Sequence, residues 1–136
     1  MKLTVVANTT PRRYWARVLA GVGVILILDA VWLSIMTSTT SVYKPLTESA
    51  TPLKAGIGIV LYAIVAACVA GVFESNSHKK AATVGALLGF LVFSVYNLTT
   101  FATIDGWEAL NAFIDTGYGT VVWTILLVTQ HAVSVS

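Results

Sequence analysis

The chain has 136 residues, of which 57% are hydrophobic and only 10% are charged, and its formal net charge is +2. An average soluble domain carries about 25% charged residues, and the mean hydropathy of this chain is +0.83. This composition excludes an ordinary water-soluble domain, a disordered tail and a nucleic-acid-binding protein with a basic face. Cys68 is the single cysteine, which excludes a disulfide framework. The sequence therefore predicts a small integral membrane protein.

Four stretches of the chain are apolar enough to cross a bilayer. A membrane-spanning helix needs about 20 mostly apolar residues, because the hydrocarbon core is about 30 Å thick. The four stretches lie at about residues 14–36, 53–73, 81–103 and 117–135. Pro11 and Pro52 each follow a threonine, a cap-and-proline pattern that predicts helix starts at these prolines. The prediction is one all-α domain, residues 1–136, built as a bundle of four transmembrane helices.

The distribution of positive charge predicts that both termini are cytoplasmic. With that orientation, six basic residues lie inside, namely Lys2, Arg12, Arg13, Arg17, Lys79 and Lys80. Only Lys44 and Lys54 lie outside. The membrane itself is left open: a cell membrane, an organelle membrane and a viral inner membrane all fit.

The connection between the third and fourth spans is amphipathic. Residues 104–115 read IDGWEALNAFID, and Asp105 and Glu108 have the spacing of a capping box. The apolar residues from Trp107 to Ile114 fall on one helical face. This pattern predicts a short helix, at about residues 106–114, lying in the outer membrane interface with Trp107 as its anchor.

Small residues recur every four positions in three of the predicted helices, which allows helix backbones to approach closely. They are Ala16 and Ala20 in the first helix, Ala63, Ala67 and Gly71 with Ala66 and Ala70 beside them in the second, and Gly85 and Gly89, a GxxxG pattern, in the third. We expect these residues to pack helices together within the bundle. The same stripes could instead serve a homo-oligomer or a partner subunit.

Asp29 is a carboxylate within the first span, where it costs about 2.5–3.5 kcal/mol and normally faces the bundle interior. Depths estimated from the helical rise place Tyr62, Asn97 and Thr100 near the same level. We predict an intramembrane polar layer of Asp29, Asn97, Tyr62 and Thr100. Two interpretations remain open: an outward-opening pocket for a proton, a cation or a polar headgroup, or a structural Asp29–Asn97 hydrogen bond that sets helix register.

Motifs for catalysis or metal binding are missing from the sequence. His78 and His131 have no set of further ligands around them, and no Ser-His-Asp or Cys-His set lies at compatible depths. We expect no metal, no cofactor and no nucleic-acid partner. The expected partners are the lipid bilayer and either other membrane subunits or further copies of the chain.

Several motifs resemble one family of membrane proteins. LDAVWL at residues 28–33 resembles the LDxxWL stretch of the predicted membrane proteins known as DUF2177, and YNLTTFAT at residues 96–103 is similar to that family's YDLTNxAT. Trp107, and then Asp115 with residues 119–120, match a following W and a DxxWGT motif. The resemblance covers about residues 28–123. It implies a four-helix membrane protein but no reaction.

The chain departs from the family pattern at three positions. Asn97 stands where the family has an aspartate, Thr100 where it has an asparagine, and Tyr118 where it has a tryptophan. If the family's polar layer is catalytic or ion-binding, the loss of a carboxylate at Asn97 weakens that role in this chain.

Three functions are compatible with these features. The first is a non-enzymatic structural or accessory subunit of a larger membrane assembly, cellular or viral, for which the small-residue stripes and the amphipathic connection are suited. The second is a small transporter, or a lipid- or proton-handling protein, built around the Asp29 layer. A membrane enzyme acting on lipid ranks last, because the sequence shows no nucleophile and no metal set.

Overall fold

The computed structural model describes residues 10–44, 48 and 51–136. Over these ranges it contains four long α-helices, which are α1 (Pro11–Thr39), α2 (Pro52–Val72), α3 (His78–Thr103) and α4 (Ala109–Val135). Each is long and apolar enough to cross a membrane. A short 3-10 turn, Ser41–Tyr43, follows α1. The predicted all-α architecture of four spanning helices is confirmed, whereas Lys2 lies outside the described residues.

The starts of the first two helices agree with the sequence. α1 begins at Pro11 and α2 at Pro52. The Thr51 hydroxyl accepts a hydrogen bond from the backbone N–H of Lys54 at 3.3 Å, which satisfies one of the free donors at the start of α2. Each of these helices therefore begins where the proline costs no backbone hydrogen bond.

The fourth helix differs from the prediction. α4 begins at Ala109 rather than at about residue 117, and residues 104–108 are a non-helical connection. The prediction of a separate helix at 106–114 is therefore wrong, because residues 109–114 form the first turns of α4. The physical reason is burial, because Asn111 and Asp115 face the bundle and hold these turns in line with the rest of α4. The side of the membrane on which the termini lie stays a prediction.

The helices form an open arrangement in the side-by-side order α2–α1–α4–α3. α4 packs on both α3 and α1, α1 packs on α2, and α2 makes a smaller contact with α4, but no Cα atom of α2 lies within 8 Å of one in α3. We call the end of the bundle that carries Tyr43 and residues 104–108 the loop end, and the end that carries residues 73–77 the turn end. The open side between α2 and α3 matters for the site described below.

The glycines of the GxxxG pattern make the contact between α3 and α4. A Cβ atom on Gly85 would lie 2.5 Å from the carbonyl oxygen of Trp123, and one on Gly89 would lie 2.5 Å from the carbonyl oxygen of Gly119. Real Cβ atoms do not approach so closely. The two backbones therefore touch in a way that only glycine permits at these positions.

The small residues of α2 contact α1, with the two alanines beside the predicted stripe at the centre of the contact. Ala66 and Ala70 are fully buried against Val18 of α1. Ala63, Ala67 and Gly71 are half-buried. Ala67 packs at the border of this contact, and its carbonyl oxygen accepts a hydrogen bond from the Tyr14 hydroxyl at 3.2 Å.

Polar side chains close the turn end of the bundle. The buried Gln130 amide donates from Nε2 to the carbonyl oxygens of Arg17, at 3.3 Å, and Ala66, at 3.0 Å. The buried Arg17 guanidinium donates from Nη2 to the carbonyl oxygen of Phe73 at 2.7 Å. One side chain of α4 thus joins α1 and α2, and one side chain of α1 holds the end of α2.

Candidate functional site

Asp29 lies where three helices meet. Its two carboxylate oxygens accept hydrogen bonds from the hydroxyls of Tyr62 on α2 and Tyr118 on α4, one tyrosine to each oxygen. A hydroxyl is an effective donor to a carboxylate when water is excluded. Asp29 therefore ties α1 to both of its neighbours at mid-length.

A second carboxylate, Asp115, lies in the same region and is buried. It accepts a hydrogen bond from the indole nitrogen of Trp32 at 3.2 Å and one from the Asn97 amide at 2.9 Å. The Asn97 side chain is fully buried and also donates to the backbone carbonyl of Phe93 at 3.0 Å. The four side-chain donors to Asp29 and Asp115 are all neutral, so the two acids receive hydrogen bonds from them but no counter-charge.

Aromatic rings surround the two acids. Trp32 stacks face to face on Tyr118, with ring centroids 4.2 Å apart and planes inclined by 6°. Phe93 presents its edge to the same tyrosine, at 6.4 Å and 81°. Nearer the loop end, Tyr43 and Trp107 pack together at 5.7 Å. These contacts hold the rings near the carboxylates in defined orientations.

These groups line one cavity of about 710 Å³. It extends from Tyr62, the middle residue of α2, to Gly106 and Trp107 in the connection at the loop end. The fourteen lining residues are Asp29, Trp32, Leu33, Tyr43, Tyr62, Phe93, Tyr96, Thr100, Ile104, Asp105, Gly106, Trp107, Asp115 and Tyr118. Seven are aromatic and three are acidic, and no lysine or arginine is among them. The described part of the chain therefore gives this cavity an acidic, aromatic interior.

Tyr43 covers the loop end of the cavity. Its side chain is buried, and its hydroxyl interacts with the Asp115 carboxylate without the geometry of a complete hydrogen bond. Burial, and then the neighbouring Asp115, raise the pKa of this phenol far above its usual range. Tyr43 therefore stays protonated and presents a donor to the acid.

The predicted polar residues divide between the two acids. Tyr62 bonds to Asp29, but Asn97 donates to Asp115 rather than to Asp29. Thr100 lines the cavity, while its hydroxyl donates to the backbone carbonyl of Tyr96 at 2.8 Å. The structure thus does not contain the Asp29–Asn97 hydrogen bond of the structural interpretation.

Trp107 occupies the non-helical connection instead of a helix. It is half-buried, packs on Tyr43 and lines the cavity at its loop end. Its role as an anchor in the membrane interface stays a prediction.

Sequence reasoning missed Asp115, Tyr118 and Trp32 as site residues. Asp115 ends the amphipathic stretch 104–115, which the sequence pattern predicts to lie in the membrane interface rather than at the depth of Asp29. A signal was available, because Trp32 belongs to the LDxxWL motif, and Asp115 and Tyr118 to the DxxWGT motif, of the family the sequence resembles. Motif residues on α1 and α4 therefore pointed to the site more directly than depth did.

Asp29 and Asp115 are not part of a metal-binding set. Among the described residues, no three His, Cys, Asp or Glu side chains come together in a group that could hold a metal ion. Two carboxylates with aromatic walls instead resemble sites that bind organic cations, where ring faces attract the positive charge.

The fold and the cavity define a class, a multi-pass membrane protein of four helices with an acidic, aromatic-lined cavity within its spans. The family model described as predicted membrane protein (DUF2177) matches residues 14–131. The chain belongs to this family. Comparisons with curated proteins and with solved structures found no match.

Replacing Tyr118 by phenylalanine tests the contribution of one tyrosine to the site. The ring would keep its stacking on Trp32, but Asp29 would lose one of its two hydroxyl donors. We expect the free energy of unfolding to fall by about 1.5–3 kcal/mol, the usual contribution of a hydrogen bond to a charged group. Thermal unfolding in a mild detergent measures this change.

The matched control for that variant is Tyr96→Phe. Tyr96 lines the same cavity but is exposed, and its hydroxyl makes no hydrogen bond with the described residues. Its replacement should leave stability almost unchanged. Equal losses in the two variants would show that the Tyr118 hydroxyl does not hold Asp29.

Proposed function

We propose that this protein binds an organic cation, a quaternary ammonium or a protonated amine, in its cavity and acts as a small transporter for it. The observation that carries the proposal is the lining itself, with three carboxylates, seven aromatic residues and no basic side chain. A desolvated cation on aromatic faces gains about 2 kcal/mol from each good contact. The Asp29 and Asp115 carboxylates supply the opposite charge.

The position of the cavity favours transport over simple surface binding. The cavity reaches the middle of α2 from the loop end, while Gln130 and Arg17 close the turn end. To pass through, a cation bound at Asp29 would need both the apolar cluster around Leu126 and the turn-end contacts to open. With the topology predicted from charge, the loop end faces outward and the turn end faces the cytoplasm.

The two other functions give different expectations. A structural or accessory subunit, cellular or viral, would not depend on a bound cation, and the described residues offer no observation that favours it. A lipid enzyme would need a group free to take a proton or attack a substrate. Both Asp29 oxygens already accept tyrosine hydroxyls, which does not suit a general base.

The direct test compares choline with its neutral isostere 3,3-dimethylbutan-1-ol. The two molecules have nearly the same shape, so a difference between them isolates the positive charge. The purified protein in lipid nanodiscs is titrated with each, and binding is followed by tryptophan fluorescence, because Trp32 and Trp107 line the cavity. We expect choline to bind at least tenfold more tightly. Equal binding of the two probes, or no binding of either, would contradict the proposal.

A further inference from the structure

The cavity has an open side within the membrane. α2 packs on α1 and α3 packs on α4, and no Cα atom of α2 lies within 8 Å of one in α3. Two helices packed against each other normally have axes 8–10 Å apart, with close backbone approaches. The loop-end part of the space between α2 and α3, which we call the gap, is therefore not closed by backbone packing. Nearer the turn end, Val69 of α2 and Ala81 of α3 share one buried cluster.

The gap leads to the carboxylates. Tyr62 lines the cavity from α2, and Phe93, Tyr96 and Thr100 line it from α3, so the cavity lies between the two helices that do not touch. Tyr96 is 58% exposed although it is a lining residue, so the cavity is not enclosed at this position of α3. Lipid chains that surround the bundle can therefore reach the cavity from the side.

The helices beside the gap suit a hydrocarbon chain. α2 has no charged residue from Ala55 to Val72, and α3 has none from Ala81 to Thr103. A chain that leaves the cavity through the gap therefore passes from aromatic walls to apolar helix surfaces without meeting a charge. A small cation such as choline uses none of this surface.

We infer that the ligand of this cavity is a cationic amphiphile, whose ammonium group lies against Asp29 and Asp115 and whose hydrocarbon chain leaves between α2 and α3. The inference rests on the proposed function, which it extends from a cation to a cation with a chain. A singly charged long-chain amine fits better than a phosphocholine lipid. The phosphate of such a lipid would have to enter a space lined by three carboxylates.

The test is a chain-length series with a photolabel. Tetramethylammonium and dodecyltrimethylammonium are titrated against the protein in phosphatidylcholine nanodiscs, with amphiphile concentrations corrected for partition into the bilayer. Asp29→Asn gives the background from non-specific uptake, and Asp115→Asn serves as the second variant if Asp29→Asn does not fold. A diazirine on the dodecyl chain then marks, by mass spectrometry of peptides, the helices that the chain contacts.

We expect dodecyltrimethylammonium to bind at least tenfold more tightly than tetramethylammonium in an aspartate-dependent way, with label on α2 and α3. If the two cations bind equally and still need the aspartate, the cation site stands and the lateral chain path is wrong. Label confined to residues 104–107 would also overturn that path. If neither cation binds above the variant background, both the lateral chain path and the proposed cation-binding function are wrong.

A separate measurement tests the preference for a singly charged amine. Native mass spectrometry of the protein released from the nanodiscs counts the phosphatidylcholine molecules that it retains. We expect Asp29→Asn not to change that number. Retention of one phosphatidylcholine by the native chain but not by the variant would overturn the preference against phosphate.

Discussion

Replacing Asp29 by asparagine is expected to lower the affinity for choline about a hundredfold while the helices stay in place. An ammonium about 5 Å from a carboxylate gains about 3 kcal/mol at an effective dielectric constant of 20. Each 1.4 kcal/mol corresponds to a factor of ten in affinity. Asparagine has nearly the same shape, and Tyr62 and Tyr118 can donate to its oxygen or accept from its nitrogen. Fluorescence titration in nanodiscs measures the change, and a thermal melt verifies the fold.

Glu74→Gln is the matched control for this variant. Glu74 is an exposed acid at the turn end, next to Arg17 and away from the cavity. Removing its charge changes the net charge of the chain by the same amount but should leave choline binding intact. If Asp29→Asn retains native affinity, Asp29 has a structural role and the cavity is not a cation site.

Replacing Gly89 by alanine should lower the free energy of unfolding by about 1–3 kcal/mol, the usual cost of overpacking. The new Cβ would lie 2.5 Å from the carbonyl oxygen of Gly119 and 2.8 Å from the Cα of Thr120. Both are backbone atoms, so α3 and α4 would have to separate. Because Asn97 on α3 bonds to Asp115 on α4, the variant should also weaken cation binding. Thermal unfolding and choline titration measure the two effects.

Gly117→Ala is the control for this variant, because a Cβ at Gly117 meets no atom within 4 Å. Alanine is favoured over glycine in a helix interior by about 1 kcal/mol. The control should therefore be as stable as the native chain or slightly more so. A stable Gly89→Ala protein with unchanged binding would show that α3 and α4 are not held in this close contact.

The four spans were predictable because each depends on local sequence. A run of apolar residues long enough for the bilayer must be helical, since lipid offers no partners for a free backbone. The prolines at Pro11 and Pro52 locate two helix starts within the same short stretches. The start of α4 could not be predicted in the same way, because it depends on the burial of Asn111 and Asp115, which is a tertiary property.

Within the site, sequence identified Asp29 and Tyr62 at a common depth, but it assigned Asn97 to the wrong acid. The hydropathy pattern predicts the depth of each residue along the membrane normal. It does not predict how each helix is rotated about its axis or which helices lie next to it. Leucine packs against lipid as readily as against protein, so an apolar surface does not reveal which way it faces.

The sequence by itself determined the class of protein, the four helices, the family motifs and the presence of a carboxylate inside the membrane. Each of these follows from composition, apolar length or motif, and none depends on which helices touch. Only the tertiary structure decided that Asp115 joins Asp29, that seven aromatic residues enclose them and that α2 and α3 stand apart. These features depend on how each helix is rotated and which neighbour it packs against, which the side chains of all four helices set together, as Gly85 and Gly89 do for α3 and α4.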